Sequence, residues 1–190
     1  MKTIRISAAE MTKRVSRFGA LKPLPMQDNA DIPLAARDVV YARKILSVIG
    51  LDQNVVTPVN AGAPIRGAGG MTLAMAVCPP GQGPGLHAHQ ATYETFTVLK
   101  GRFEVTWNDN GDESLILDQY DTVSVPPGVC RAFRNISAEE GILQVIITGG
   151  VHDMNDIDFS PQAKDKIEAV RPGLIKEFQA TGFTFTAGQS

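Results

Sequence analysis

The middle of the chain has the hydrophobic pattern of short β-strands separated by turns. Runs rich in valine, isoleucine, threonine and aromatic residues recur at close intervals, and connectors rich in glycine, proline, asparagine and aspartate divide them. These runs predict strands at 53–59, 70–78, 86–90, 93–99, 103–108, 114–117, 122–125, 129–135 and 142–148. Many short strands with turn residues between them are typical of a β-sandwich or a closed barrel.

The N-terminal part follows a different pattern. Residues 1 to about 35 mix charged residues with prolines and have no sustained period, which predicts an arm with a short helix near 8–17. Residues 38–51 fit a helix by their spacing, but they also contain several β-branched residues that favour a strand. Both structures remain open for this segment, with a strand favoured at its end.

The C-terminal part returns to a helical pattern. Ser160 is a suitable N-cap residue and Pro161 a suitable first residue, so a helix is predicted to begin there. A second short helical segment, 172–182, follows after a Pro-Gly pair that interrupts the first.

Composition and charge exclude some classes of partner. The chain has 190 residues with 43% hydrophobic and 20% charged residues, as expected for one globular domain. Its net charge of −2 comes without a basic stripe, so we expect no nucleic-acid partner.

The sequence shows no signal peptide and no membrane-length apolar run, which favours a cytoplasmic protein that does not bind membranes. In that compartment Cys78 and Cys130 are expected to be reduced, buried thiols.

The chemistry of the chain is concentrated in residues 81–101. His87 and His89 stand two apart, and residues i and i+2 of a strand face the same side, so their imidazoles should converge. Glu94 has the opposite parity and can join them only if the strand register breaks before Tyr93. Two imidazoles and a carboxylate form the donor set of a facial triad, which leaves positions open on a metal. Iron(II) suits this set first, with manganese, zinc or nickel as alternatives.

The spacing of these residues resembles a known family. Gly81, His87, His89, Glu94 and Gly101 are separated by five, one, four and six residues, and this series resembles the first motif of the cupins. The resemblance implies an all-β fold, the double-stranded β-helix or jelly-roll barrel of a single-barrel cupin.

A later segment resembles the second cupin motif, with two departures. Pro126, Gly128 and Asn135 stand at their expected places in 120–135. Tyr120 replaces the opening glycine, and Arg131 stands where the family has a fourth metal ligand, a histidine.

The resemblance also implies an organisation for the chain. It suggests a cupin barrel at 51–150, an arm with a first strand or helix at 1–50, and a C-terminal helical extension at 151–190. Single-barrel cupins are often homodimers, and the proline-rich arm could supply the surface that the subunits exchange.

Arg131 allows three interpretations. A guanidinium has no acceptor and stays protonated, so it cannot bind a cation directly. At ~5 Å from a divalent ion, with an effective dielectric constant of ~20, its repulsion would be roughly 6 to 7 kcal/mol before compensation. Arg131 can pair with Glu94 and replace the metal, or lean away and anchor a substrate carboxylate or phenolate. A register shift would instead turn it to solvent.

Other residues are candidates for the walls of a substrate pocket. Phe96 and Phe133 are expected to contact the substrate, as are Val98 and some of Met71, Leu73 and Met75. Gln144 interrupts an apolar strand and could point an amide into the pocket. His152 is a further candidate ligand if the chain folds back over the mouth of the barrel.

Two functions follow from these residues. The first is a metal-dependent enzyme, most plausibly a dioxygenase that acts on a small aromatic or carboxylated compound. The second is a non-catalytic barrel that binds a small anionic ligand, with Arg131 replacing the fourth metal ligand. Both functions have a small molecule as the partner.

Overall fold

The computed structural model describes residues 3–51, 57–67, 69–149 and 154–189. Strands make up most of its regular structure, and the helices are short. The strands are β1 (Lys44–Gly50), β2 (Ile65–Arg66), β3 (Met71–Cys78), β4 (His87–His89), β5 (Tyr93–Lys100), β6 (Phe103–Trp107), β7 (Glu113–Leu117), β8 (Thr122–Val125), β9 (Arg131–Asn135), β10 (Gly141–Thr148) and β11 (Ile157–Phe159). The α-helices are α1 (Ala8–Thr12), α2 (Leu34–Val40), α3 (Pro58–Gly62), α4 (Pro161–Val170) and α5 (Ile175–Gln179).

The strands form two sheets that are antiparallel except for one edge pair. One sheet has the order β2-β1-β3-β10-β5-β8 and the other β11-β4-β9-β6-β7. Only the β1–β2 pair is parallel among the described pairs. Two antiparallel sheets with few short helices confirm the all-β class and fit the jelly-roll fold that the sequence predicts.

Eight of the predicted strands are confirmed, with shifts of one or two residues at some ends. The exception is 53–59, of which residues 53–56 lie outside the described part of the chain. The end of that segment forms helix α3 instead of a strand. Thr57 caps the helix by accepting a hydrogen bond from the Asn60 amide, and Pro58 occupies its first turn. Capping chemistry outweighed the strand propensity of Val59 here.

The ambiguous segment 38–51 contains both structures. Helix α2 ends at Val40, and β1 begins at Lys44 and pairs with β3. Arg43 and Asp38 close the connection with an ion pair of 2.6 Å. The six-stranded sheet therefore begins before residue 51, and the five-stranded sheet continues past residue 150 because β11 pairs with β4.

Two apolar clusters hold the fold together. The first fills the space between the sheets and includes the tilted rings of Phe96, Phe103 and Phe133. The second joins α2, α4 and α5 to Phe159 of β11 and to Phe183. The flanking segments thus pack against one another and against Ile45 of β1 and Phe159 of β11.

Two further expectations concern the cysteines and membranes. Cys78 and Cys130 are buried free thiols, and burial raises the pKa of Cys78 to about 12. Among the described helices, none is long and apolar enough to cross a lipid bilayer.

Candidate metal centre

The three predicted ligands come from two different sheets. His87 and His89 lie on β4 of the five-stranded sheet, and Glu94 lies on β5 of the six-stranded sheet. The chain crosses between the sheets at residues 90–92, which supplies the break in register that the opposite parity of Glu94 requires. All three side chains are buried.

The donor atoms of these residues converge on one point. The Nε2 atoms of His87 and His89 lie 3.6 and 3.8 Å from Oε2 of Glu94. The donor atoms of the three residues all lie within 4.8 Å of one another. Two donors at about 2.1 Å from one ion in tetrahedral geometry are roughly 3.4 Å apart, close to these separations. This buried group, called the triad below, could hold a metal ion.

The ring of His87 is fixed in the form that a metal needs. Its Nδ1 lies 2.8 Å from the carbonyl oxygen of Gly85, and a carbonyl only accepts hydrogen bonds, so Nδ1 carries the proton. Burial lowers the pKa of His87, which keeps the ring neutral. The lone pair of Nε2 therefore faces Glu94.

The ring of His89 is fixed in the same way by different partners. Its Nδ1 lies 2.9 Å from Oγ1 of Thr92 and 3.2 Å from Oδ2 of Asp156. Thr92 donates its own hydroxyl proton to Asp156, and the amide of Ala91 donates to the other carboxylate oxygen. With the Thr92 proton committed, Nδ1 of His89 is the donor and Nε2 is free for a metal.

Asp156 is anionic beside the triad. Burial acts to raise the pKa of this carboxyl, but hydrogen bonds from His89, Thr92 and Ala91 outweigh it and lower the pKa to about 2. A carboxylate behind a ligating imidazole orients the ring and increases its basicity.

We expect Asp156→Asn to weaken metal binding roughly 10- to 100-fold, the usual effect of losing such a carboxylate. The amide keeps an acceptor for Ala91 but removes the negative charge behind His89. Titration of the purified protein with zinc or cobalt would measure the change. Asp158→Asn is the matched control because that buried carboxylate bonds to Thr186 instead. Equal affinity in Asp156→Asn and the parent would contradict a supporting role for Asp156.

Arg131 is buried against the triad. Its exposed fraction is 0%, and its Nε donates to Oε2 of Glu94 over 2.9 Å. Its Nη1 donates to the carbonyl oxygens of Val129 and His87 at 3.2 and 3.5 Å. Its Nη2 is buried without a hydrogen-bond partner among the described residues. The solvent-facing interpretation is therefore wrong, and the pair with Glu94 is present.

The charges around Glu94 are balanced by more than one group. Burial acts to raise the pKa of Glu94, but the charges of His89 and Arg131 outweigh it, so the carboxyl stays ionised. Arg131 neutralises part of the negative charge that a cation would meet. Asp156 restores a negative charge on the other side of His89.

An apolar cavity of about 120 Å³ opens from the triad. Its polar lining consists of the triad, Tyr41 and Thr72, and the remaining described lining residues are apolar. Leu24 and Met26 of the arm contribute to its walls, as do residues of α2, β10 and β11. The flanking segments that the sequence marks only as an arm and an extension therefore enclose the site.

The structure brings only part of the predicted pocket together. Phe133 lines the cavity, but Arg131 lies behind Glu94 and Phe96 lies in the core between the sheets. Gln144 pairs with Met75 and Thr97, whereas its neighbours Val145 and Ile147 face the cavity. Arg131, Phe96 and Gln144 are thus absent from the described lining of this cavity, and their roles as substrate contacts stay predictions.

The inward face of β3 is also opposite to the expected one. Thr72, Ala74 and Ala76 line the cavity, so Met71, Leu73 and Met75 point outward. Val98 packs in the core beside Phe96. His152 lies outside the described residues.

Sequence reasoning missed Thr92 and Asp156, which orient His89. Thr92 lies in the crossing between the sheets, two residues before Glu94, but its hydroxyl has no motif of its own. Asp156 is 64 positions from Thr92 and reaches the site only because β11 pairs with β4. A cluster of acidic residues after the last predicted strand was the one available signal for it.

Comparisons with solved structures give matches of low identity. A Bacillus halodurans protein shares 18% identity over 46% of this chain and 69% of its own, with a TM-score of 0.42. The Cnp3 cupin domain of Schizosaccharomyces pombe shares 15% identity over 55% of this chain and 64% of its own, with a TM-score of 0.41. A predicted oxalate decarboxylase of Thermotoga maritima shares 20% identity over 41% and 65%, with a TM-score of 0.38. The chain therefore spans less than two thirds of the last two proteins.

Comparison with protein families gives a direct match. No protein with a curated description matches the sequence. The cupin domain family matches residues 74–147, a range that runs from β3 to β10 and contains all three residues of the triad. With the two jelly-roll sheets and the motif residues in place, this match shows a cupin domain at residues 74–147 of the chain.

Proposed function

We propose that the protein is a metal-dependent cupin enzyme that acts on a small, single-ring organic compound. One observation carries this proposal: two imidazoles and a carboxylate aim donor atoms at one point at the polar end of an apolar cavity. Each imidazole has its other nitrogen tied to an acceptor, which is the usual arrangement around metal-binding histidines.

The residues present fit a divalent ion. His87, His89 and Glu94 would hold it, and Gly85 and Asp156 keep the two rings in the required tautomer. When bound there, the ion supplies Lewis-acid chemistry, and iron adds one-electron chemistry with dioxygen. The negative charge of Asp156 offsets part of the repulsion that Arg131 exerts on a cation. Because two imidazoles and one carboxylate suit iron, which reacts with dioxygen, dioxygenation is the reaction that we propose first.

The cavity supports the size and character of the substrate. A dry cavity of about 150 Å³ holds a benzene molecule in a well-studied protein, and the volume here is of the same order at about 120 Å³. Its apolar walls would exclude water and orient a ring so that one polar end meets the triad. Because Arg131 does not line the cavity, the triad and any bound ion must receive the acidic group of the substrate.

The metal content of the protein tests the proposal. We expect near one iron, or another divalent metal, per chain in protein purified without an affinity tag, and loss of this metal in Glu94→Ala. Glu113→Ala is the matched control because Glu113 is an exposed carboxylate on β7. Metal-loaded protein is then screened for substrate-dependent oxygen uptake with single-ring phenols and carboxylic acids. A parent protein that takes up no divalent metal even when it is supplied would contradict the proposal.

A non-catalytic barrel is the second candidate, favoured by the 2.9 Å contact between Arg131 and Glu94. In this case the ion pair replaces the metal, and the cavity binds a small anionic ligand through the histidines. Metal-free parent protein that binds such a ligand without turnover would support this function. Homodimer formation and a cytoplasmic location stay predictions.

A further inference from the structure

Thr72 places a hydroxyl group in an otherwise apolar wall of the cavity. It lies on β3, its exposed fraction is 5%, and its neighbours on the same face are Ala74 and Ala76. No hydrogen bond of its side chain is seen among the described residues, and its hydroxyl is not one of their fully enclosed unpaired polar atoms, so the hydroxyl is accessible from the cavity. A hydroxyl group in the wall of a cavity is expected to hydrogen-bond to the contents of that cavity.

The strand register places Thr72 opposite the triad. Ile147 of β10 pairs with Thr72 on one side and with Glu94 on the other, so the three residues form a row on the cavity face. The two outer members of the row are two strand spacings apart, roughly 9 to 10 Å between backbones. Ile147 between them is apolar and also lines the cavity. Along this row the cavity wall is polar at Thr72, apolar at Ile147 and polar again at Glu94.

This spacing restricts the ligand. One polar atom of the ligand would lie about 2.8 Å from the Thr72 hydroxyl oxygen, the length of a hydrogen bond. The other, an oxygen bound to the same metal as Glu94, would lie about 3 Å from the Glu94 carboxylate oxygen. These two distances leave roughly 4 to 7 Å between the two polar atoms of the ligand. Substituents on opposite sides of a six-membered ring are separated by such a distance. The cavity volume admits one ring and little more.

We propose that Thr72 is a specificity-determining residue. The ligand is a single-ring compound with a polar group at each end, one facing the triad and the other hydrogen-bonded to the Thr72 hydroxyl. This inference rests on the proposed function, which identifies the end of the ligand that faces the triad as the end that reacts. It concerns binding, so it can be tested without turnover.

Tyr41 is the other hydroxyl-bearing residue of the described lining. Its ring packs against Phe183 and Phe178, with centroids 5.9 and 6.4 Å away. Burial raises the pKa of Tyr41, so its hydroxyl stays protonated. Its ring thus packs into the helical cluster, whereas Thr72 stands in register with Glu94. Both residues are compared in the test below.

Hydroquinone and p-cresol test the proposal as a matched pair. They have the same shape, and a methyl group replaces one hydroxyl in p-cresol. Calorimetry under argon gives the ratio of the two dissociation constants, p-cresol over hydroquinone, for the protein as purified. Thr72→Val makes the same exchange of hydroxyl for methyl in the protein, and we expect it to lower this ratio about fivefold or more. The free energy of removing each free ligand from water is the same for the parent and for Thr72→Val. It therefore cancels when the two ratios are compared.

Four further variants sharpen the result. Thr97→Val makes the same change on the outer face of β5, where Thr97 bonds to Thr122, and should leave the ratio unchanged. Tyr41→Phe removes the other hydroxyl group of the described cavity lining and should lower the ratio less than Thr72→Val does. If Thr72→Val does not fold, Thr72→Ser should keep the ratio of the parent and Thr72→Ala should lower it.

Each outcome decides the proposal. Failure of the parent to bind either compound, an unchanged ratio in Thr72→Val, or an equal fall in Tyr41→Phe would overturn it. The metal content of the same preparation separates this inference from the proposed function. A ratio that depends on Thr72 in metal-free protein supports the ligand class while the enzyme proposal fails. An unchanged ratio in metal-loaded protein overturns the role of Thr72 and leaves the metal centre supported.

Discussion

Arg131→Met should lower the free energy of unfolding by about 3 to 5 kcal/mol, because it removes the buried cation that pairs with the Glu94 carboxylate. The two groups form a contact of 2.9 Å, and the exposed fractions of their side chains are 0% and 8%. Only 8% of the Glu94 side chain is accessible to water at this depth. Urea unfolding in the presence of a chelator would measure the loss without a contribution from bound metal.

A second substitution shows whether the loss comes from the charge. Glu94→Gln in the Arg131→Met background removes the orphaned carboxylate and should recover most of the stability. Arg134→Met is the matched control because its pair with Glu104 is exposed, with 58% of the Arg134 side chain accessible, and such pairs contribute about 1 kcal/mol or less. A loss in Arg131→Met no larger than in Arg134→Met would contradict this account.

The parity of His87 and His89 could be predicted because a strand has a fixed period of two residues. The spacing to Glu94 also predicted a break in register, and the crossing between the two sheets provides it. These predictions needed only local geometry. The same is true of the strands from β3 to β10, whose turns carry glycine and proline.

The face of β3 could not be predicted from its pattern. Its sequence MTLAMAVC is apolar or small at almost every position, so alternation gives no contrast between the two faces. Thr72 is the one hydroxyl-bearing residue in it, and it points inward instead of outward. Gln144 was predicted to point into the pocket because it is a polar residue in an apolar strand. It lies on the outer face instead, where its amide needs no partner in the cavity.

Long-range contacts set the remaining features of the site. Asp156 reaches His89 through the pairing of β11 with β4, and Leu24 and Met26 reach the cavity from the arm. No local spacing encodes such contacts. The position of Arg131 was predicted by its place in the motif, but its pairing with Glu94 depended on side-chain geometry that a strand pattern does not specify.

Arg131→His should raise the affinity for a divalent metal by at least a hundredfold. The substitution removes a positive charge whose repulsion of a divalent ion at ~5 Å is roughly 6 to 7 kcal/mol before compensation. A hundredfold gain corresponds to about 2.7 kcal/mol, less than half of that value. Arg131 pairs directly with His87 across β9 and β4, so a histidine at this position can reach the ion as a further ligand.

Comparison with Arg131→Met separates the two effects of this substitution, because methionine removes the charge and adds no imidazole. We expect the order of zinc affinity to be Arg131→His, then Arg131→Met, then the parent, measured by competition with a chromophoric chelator. Equal affinity in both variants would assign the gain to charge alone. Equal affinity in Arg131→His and the parent would mean that Asp156 already cancels the repulsion from Arg131, and would contradict the view that Arg131 weakens the metal centre.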